Sequence, residues 1–229
     1  MKIAGFEKMS LVDYDGKVAS TVFTAGCNFR CSFCHNSSLV VGENFPQIDE
    51  EEFFAYLKKR QGILDGVCVS GGEPTLQPDL IPFIEKIKDL GYFVKLDTNG
   101  TNPEIVKTLH TQGLCDYFAM DIKSSKDDYA KITCIDKLEL SKIERTIEYF
   151  LTNNVDYEFR TTLISPYHTP TSAIKIGEWI KGAKKYFLQK FVDGENCIKQ
   201  GLLGVSEDDA NAIKNALIPY VPNTKLRGY

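Results

Sequence analysis

Apolar and β-branched residues fall into six short runs along the chain: Val18–Ala25, Gly66–Ser70, Phe93–Asp97, Tyr117–Ile122, Tyr157–Ile164 and Lys185–Val192. Each suits one strand and is short for a helix. Between them the spacing changes to that of amphipathic helices. In Asp49–Gln61 the side chains of Phe53, Phe54 and Leu57 share a face, and in Leu80–Leu90 Ile84 and Ile87 do the same. Pro103–Gln112, Leu138–Asn153, Thr171–Lys181 and Ser206–Tyr220 complete the helical set. Asp49 before a run of glutamates, Pro103 after Asn102, and Ser206 with Asp209 three residues on are start signals. Gly91 and Gly113 are stop signals.

Strand–helix units repeating every 25–40 residues, roughly, predict a parallel sheet with crossover helices, an α/β fold. A doubly wound sheet and a partial, open (β/α)6 barrel both satisfy this rhythm. Polar residues gather where the runs end. Cys27 follows the first, and Gly71-Gly72-Glu73 the second. Asp97-Thr98-Asn99-Gly100 ends the third. Asp121 and Lys123 close the fourth and, two residues apart, face one side, as do Arg160 and Thr162 on the fifth. Parallel α/β folds bind ligands at the carboxyl ends of their strands, so one shared site is expected.

Composition narrows the classes. A chain of 229 residues buries roughly 70% of its surface on folding and needs no disulfide framework. With 43% hydrophobic and 25% charged residues it is not a disordered chain. Its 27 basic and 31 acidic residues give a net charge of −4 with no basic stripe, which argues against a nucleic-acid partner. No apolar run reaches the ~18 residues of a membrane span. The opening Met1–Glu7 lacks a signal peptide's apolar stretch, so a cytoplasmic location is expected. A single domain over 1–229 is expected, with 1–17 a short N-terminal extension.

Seven cysteines are an odd number for a disulfide protein, and Cys27, Cys31 and Cys34 crowd into eight residues. The scattered Cys68, Cys115, Cys134 and Cys197 read as small core hydrophobes. His110 and His168 read as solvated surface. The C-x3-C-x2-C spacing within Gly26–Asn36 lets one loop wrap an iron–sulfur cube and leaves one iron without a protein ligand. Other chemistries share these residues. Cys31-Ser32-Phe33-Cys34-His35 matches the haem-attachment pattern. The three cysteines with His35 could hold zinc. Cys31 and Cys34 could form a redox pair, and a distant fourth cysteine could complete a purely structural cluster.

The cysteine motif with Phe33 before Cys34, followed by Gly71-Gly72-Glu73-Pro74, resembles the signature of the radical S-adenosylmethionine superfamily. Cys34-His35-Asn36, Asp97-Thr98-Asn99-Gly100 and Met120-Asp121-Ile122-Lys123 resemble its glycyl-radical enzyme activating family. Phe6–Tyr14 and Tyr186–Phe191 are similar to the longer anaerobic ribonucleoside-triphosphate reductase activating proteins. The resemblance covers essentially the whole chain.

It implies an open (β/α)6 barrel of the radical SAM type. A [4Fe-4S] cluster would sit on Cys27, Cys31 and Cys34, with S-adenosylmethionine chelating the fourth iron through its amino and carboxylate groups. Reductive cleavage would release a 5′-deoxyadenosyl radical, which takes a glycine Cα hydrogen from a partner, the anaerobic ribonucleotide reductase. Flavodoxin or ferredoxin would supply the electron. Phe33 would face the adenine and Glu73 the ammonium. His35, Asn36, Gly71, Gly72, Asp97, Thr98, Asp121, Lys123, Arg160 and Thr162 would complete the cofactor site, Arg160 gripping the carboxylate or else pairing with Asp121 or Asp97 as a structural salt bridge. Crowding of Asp97, Asp121 and that carboxylate predicts an offset by Lys123, Arg160 or a monovalent cation with Thr98 as an oxygen ligand. Other targets (another glycyl-radical enzyme, a peptide, a small molecule) and a non-catalytic metal-binding or redox-sensing module are the competing functions.

Overall fold

Alternate residues on the central strands differ in polarity, and the sheet explains why. The computed structural model describes residues 1–40 and 47–229. Six parallel strands follow one another in space as in sequence: β2 (Ala19–Thr24), β3 (Gly66–Gly71), β4 (Phe93–Thr98), β5 (Tyr117–Asp121), β6 (Tyr157–Ser165) and β7 (Tyr186–Lys190). The order never reverses, so the sheet curls as a barrel rather than winding doubly. The connections carry helices: α1 (Ser37–Val40) and α2 (Glu50–Lys58) after β2, α3 (Leu80–Asp89) after β3 and α4 (Pro103–Thr111) after β4. After β5 come α5 (Tyr129–Thr133) and α6 (Leu140–Thr152), and after β6 comes α7 (Pro170–Trp179).

Three strands lie outside the expected six. Residues 1–17, expected as an extension, contain β1 (Ile3–Ser10), antiparallel to β2. Three consecutive exposed residues, Glu7, Lys8 and Met9, mask the period-two signal. At the other edge, α8 (Glu207–Leu217) leads to β9 (Thr224–Arg227), parallel to β7, while the two-residue β8 (Leu203–Gly204) pairs with the end of β6. No ladder joins β1 to β9 among the described residues, so the barrel is partial and open.

Residues facing the helices are apolar: Val67, Val69, Val94, Leu96, Phe118, Met120 and Phe159 belong to one buried cluster. Phe150 of α6 stacks on Tyr157 at 5.1 Å. Facing inward are Lys95, Asp97, Asp121, Glu158 and Arg160. The turn after β1 closes the amino-terminal end of the barrel, with buried Tyr14 against Tyr117, and the Asp13 carboxylate accepting from the Thr21 hydroxyl at 2.6 Å. Arg227 on β9 meets Glu158 on β6 and Asp15 in that turn. Caps follow the expected chemistry at Asp49 and Ser206, whose side chains accept from Glu51 N and Asp209 N. Among the described residues, no helix is long and apolar enough to cross a membrane.

Three expected residues sit differently. Cys134, expected in the core, is exposed and ends α5 at φ 55°, a left-handed terminus more often given to glycine. His110, expected on the surface, is half-buried against the Tyr149 hydroxyl. His168, also expected there, is buried. Its Nδ1 accepts from Ile164 N at 2.9 Å, which leaves Nε2–H to donate to the Lys123 carbonyl at 3.0 Å. A neutral imidazole supplies the one acceptor and one donor that these strand ends need.

Burial holds His168 neutral, lowering its pKa to about 4. The unfolded chain binds this proton below about pH 6.5 and the folded chain does not, so stability is full above that value and falls as pH drops toward 4. The loss across that window amounts to about 3 kcal/mol. In His168→Gln this part of the acid limb is absent. Parallel wild-type and variant pH–stability curves in urea would overturn the assignment.

Candidate active site

The loop after β2 places Cys27, Cys31 and Cys34 around one cavity of ≈ 260 Å³ at the carboxyl ends of the strands. Phe33, His35 and Asn36 line it from the same loop, Gly71, Gly72 and Glu73 from the end of β3, and Asp97 and Thr98 from β4. Asp121 and Lys123 come from β5 and its end, Arg160 and Thr162 from β6. Every residue proposed from sequence for the site therefore meets the others. Phe29, Val40, Ser70, Asn99 and Gln189 also line the cavity.

The cysteine loop is held to the β3 end by main-chain contacts. Gly72 N donates to Thr24 O at 2.9 Å and Glu73 N to Gly26 O at 2.8 Å, while the Asn36 amide donates to Gly71 O at 3.2 Å. A Cβ on Gly72 would collide with the Gly26 carbonyl, so this crossing requires glycine. Glu73 is buried among protein donors. Oε1 accepts from Thr75 N, the Thr75 hydroxyl and the Thr98 hydroxyl, and Oε2 from Asn99 N at 2.6 Å. Burial raises its pKa despite these donors. In this position Glu73 organises the turn after β4. The Thr98 hydroxyl, expected as a cation ligand, donates to Glu73 and accepts from Gly100 N at 3.1 Å.

Charges on β4, β5 and β6 interlock. Arg160 Nε lies 2.9 Å from Asp121 Oδ1, and Arg160 Nη1 3.3 Å from Asp97 Oδ2. Lys123 lies 2.9 Å from Asp121 and Lys95 3.1 Å from Asp97. Burial alone would raise both carboxyls, yet Arg160 with Lys95 holds Asp97 at about 2, and Arg160 with Lys123 lowers Asp121. Three cations thus face two anions. The expected offset comes from Lys123 and Arg160 together with Lys95, which sequence reasoning missed. Its signal was present: Lys95 and Asp97 are two apart, on the inward side of a strand whose other face is apolar. A ligand carboxylate would be the third anion of this set.

Across this cavity runs the match to the Radical SAM superfamily, residues 21–179. The chain belongs to the radical SAM superfamily. A Methanocaldococcus jannaschii protein named for the activation of glycyl-radical enzymes is 34% identical over 193 residues, 82% of this chain and 79% of that one. The pyruvate formate-lyase-activating enzyme of Clostridium pasteurianum is 35% identical over 136 residues, 56% of this chain and 54% of its own. Among solved structures, Streptococcus suis SuiB bound to S-adenosylmethionine superposes with a TM-score of 0.70 at 12% identity, over 91% of this chain and 52% of that one. Escherichia coli coproporphyrinogen III oxidase gives 0.60 at 11% identity, over 91% and 53%. These two likenesses are of fold, and this chain spans about half of either structure.

The residues present fit the superfamily's [4Fe-4S] cluster and S-adenosylmethionine. Desolvation raises the Cys27 thiol and pushes Cys31 up to about 12, so both are neutral without a metal whose binding displaces their protons. Among the described residues no three cysteine, histidine or acidic side chains stand close enough to share a single ion. A cube takes its cysteines at separate irons and does not ask them to share one. His35 reaches the cavity rim, but its ring packs on Phe191 with Nδ1 3.8 Å from Cys197 Sγ. Phe33 is buried, with the Lys123 ammonium 5.9 Å from its ring.

The Glu73 geometry is testable without any cofactor. Thr75 N and Asn99 N can only donate, one to each carboxylate oxygen, so a glutamine must turn its NH₂ toward one of them. Glu73→Gln is expected to lower the stability of the metal-free protein by about 2 kcal/mol, read from the urea midpoint. Unchanged stability would instead make Glu73 a ligand contact.

Proposed function

We propose that this radical SAM enzyme activates a glycyl-radical enzyme, with the anaerobic ribonucleotide reductase as its target. The observation that carries this reading is the open cavity in which three loop thiols meet a glycine-lined crossing and a wall with one surplus positive charge. The M. jannaschii relative, matched over most of both chains, supports the reaction class. The target rests on Phe6–Tyr14 and Tyr186–Phe191, which lie in β1 with its following turn and in β7 with Phe191.

When bound, the cluster and S-adenosylmethionine supply one-electron cleavage of the sulfonium and a carbon radical able to take a glycine Cα hydrogen. Cys27, Cys31 and Cys34 would hold three irons. Arg160 and Lys123 would receive the ligand carboxylate, their charge fixed by Asp121 and Asp97. Phe33 would shield the adenine, while Asn36 and the Gly71-Gly72 crossing receive the methionine end. The break between β1 and β9 fits a fold that admits a peptide loop. The electron would come from a flavodoxin or ferredoxin.

Anaerobic reconstitution followed by dithionite and S-adenosylmethionine tests the chemistry. Wild-type protein is expected to form 5′-deoxyadenosine, and Cys34→Ala to form none. Adding the anaerobic reductase is expected to produce a glycyl doublet in its EPR spectrum. No product from a fully loaded cluster would overturn the enzyme reading. A doublet on pyruvate formate-lyase but not on the reductase would overturn the target alone.

A further inference from the structure

Beside the three cysteines, the turn after β4 carries a side-chain ring that the site chemistry above does not use. Asn99 Oδ1 accepts from Thr101 N at 3.0 Å and from the Thr101 hydroxyl at 2.7 Å. Because a backbone N–H can only donate, the amide oxygen must face Thr101 and the NH₂ must face the other way. There it donates to Asn28 Oδ1 at 2.8 Å and points at Cys27 Sγ, 3.9 Å away. The ring closes through the Asn28 amide, which donates to Thr101 Oγ1 at 2.9 Å. Asn99 is buried, and its own N–H is held by Glu73. The amide thus has one orientation. A second donor, Phe29 N, lies 3.4 Å from the same sulfur.

From this geometry we propose that Asn99 is a positioning and potential-setting residue for the cluster, acting through the Cys27 sulfur. The proposal rests on the reading that the three thiols hold a [4Fe-4S] cluster. Reduction adds negative charge that spreads onto the ligating sulfurs, and a fixed N–H donor stabilises the reduced form more than the oxidised one. Among the described residues, neither Cys31 nor Cys34 shows such a side-chain donor at its sulfur, so the effect is confined to the Cys27 corner. The Asn28–Asn99–Thr101 ring also couples the turn after β4 to the cysteine loop, so a change at the Glu73 end of that turn reaches the cluster through Asn99.

The test is an EPR-monitored redox titration of the reconstituted protein without a partner. In Asn99→Ala the reduced-to-oxidised ratio at the wild-type midpoint is expected to fall about three- to tenfold, roughly the worth of one ordinary hydrogen bond. Asn99→Asp keeps the shape and the contacts to Thr101 but cannot donate to Cys27, so it carries the test if the alanine variant loads iron poorly. Its midpoint should fall at least as far. Thr101→Val, which leaves the Asn99 amide and the Thr101 N–H in place, should keep a midpoint close to wild type. A wild-type midpoint in a fully loaded Asn99→Asp protein, or an equal shift in Thr101→Val, would overturn the proposal. Failure of the wild-type protein to assemble a cluster would overturn the functional reading on which it rests.

Discussion

The guanidinium of Arg160, held between Asp97 and Asp121, is the interaction on which the rest of the site depends. It comes from β6 and must cross β5 to reach β4. The β5 residue opposite Asp97 is Ala119, whose methyl group leaves room for that crossing. Removing three charges from water is costly, and the cost is offset only where each charge meets a well-placed partner. Lys95 beneath Asp97 and Lys123 above Asp121 complete the set, and together they tie the carboxyl ends of three strands into one rigid wall. A barrel closed all round on an apolar interior would not need this arrangement. An open barrel with a wet mouth does, because its interior faces a polar ligand instead of more protein.

With the interior given over to charge, the fold draws its hydrophobic stabilisation from the outer face of the sheet. Val67, Val69, Val94, Leu96, Phe118 and Phe159 are all buried against helices, and each alternates with an inward residue that is small, polar or charged. The two faces of one strand thus do different jobs: the outward side holds the structure together, and the inward side holds the site. The loops above the strands obey a different constraint. Glu73 is a carboxylate removed from water, so it gathers donors from Thr75, Thr98 and Asn99, and in doing so fixes the turn after β4 against the cysteine loop.

Much of this was legible in the sequence because it follows local rules. Strand ends, helix caps at Asp49 and Ser206, the cysteine spacing and the placement of Asp97, Asp121, Lys123 and Arg160 are all short-range patterns, and the parallel topology gathers them at one end. What was not legible depends on contacts across the sheet. β1 and β9 carry weak alternation and exist as strands because β2 and β7 offer them free edges. His168 read as solvated surface, yet the backbone groups it meets belong to β6 and to the segment just after β5. Lys95 looked like a charge inside an apolar run, although its spacing from Asp97 placed it inward. Glu73 was legible as a polar residue following a strand, but nothing local reveals that four donors converge on it.

The charge count of the wall gives the site its direction. The chain as a whole is net negative at −4, so a general attraction for anions is not available to it. Three cations against two carboxylates leave a single local surplus, positioned where Arg160 and Lys123 line the cavity and buried enough for salt to screen it little. A carboxylate on a ligand would meet that surplus through the same residues that tie the wall together. The surplus stays at one only while Asp97 and Asp121 are ionised. Arg160 bridging the two carboxylates is what keeps them so.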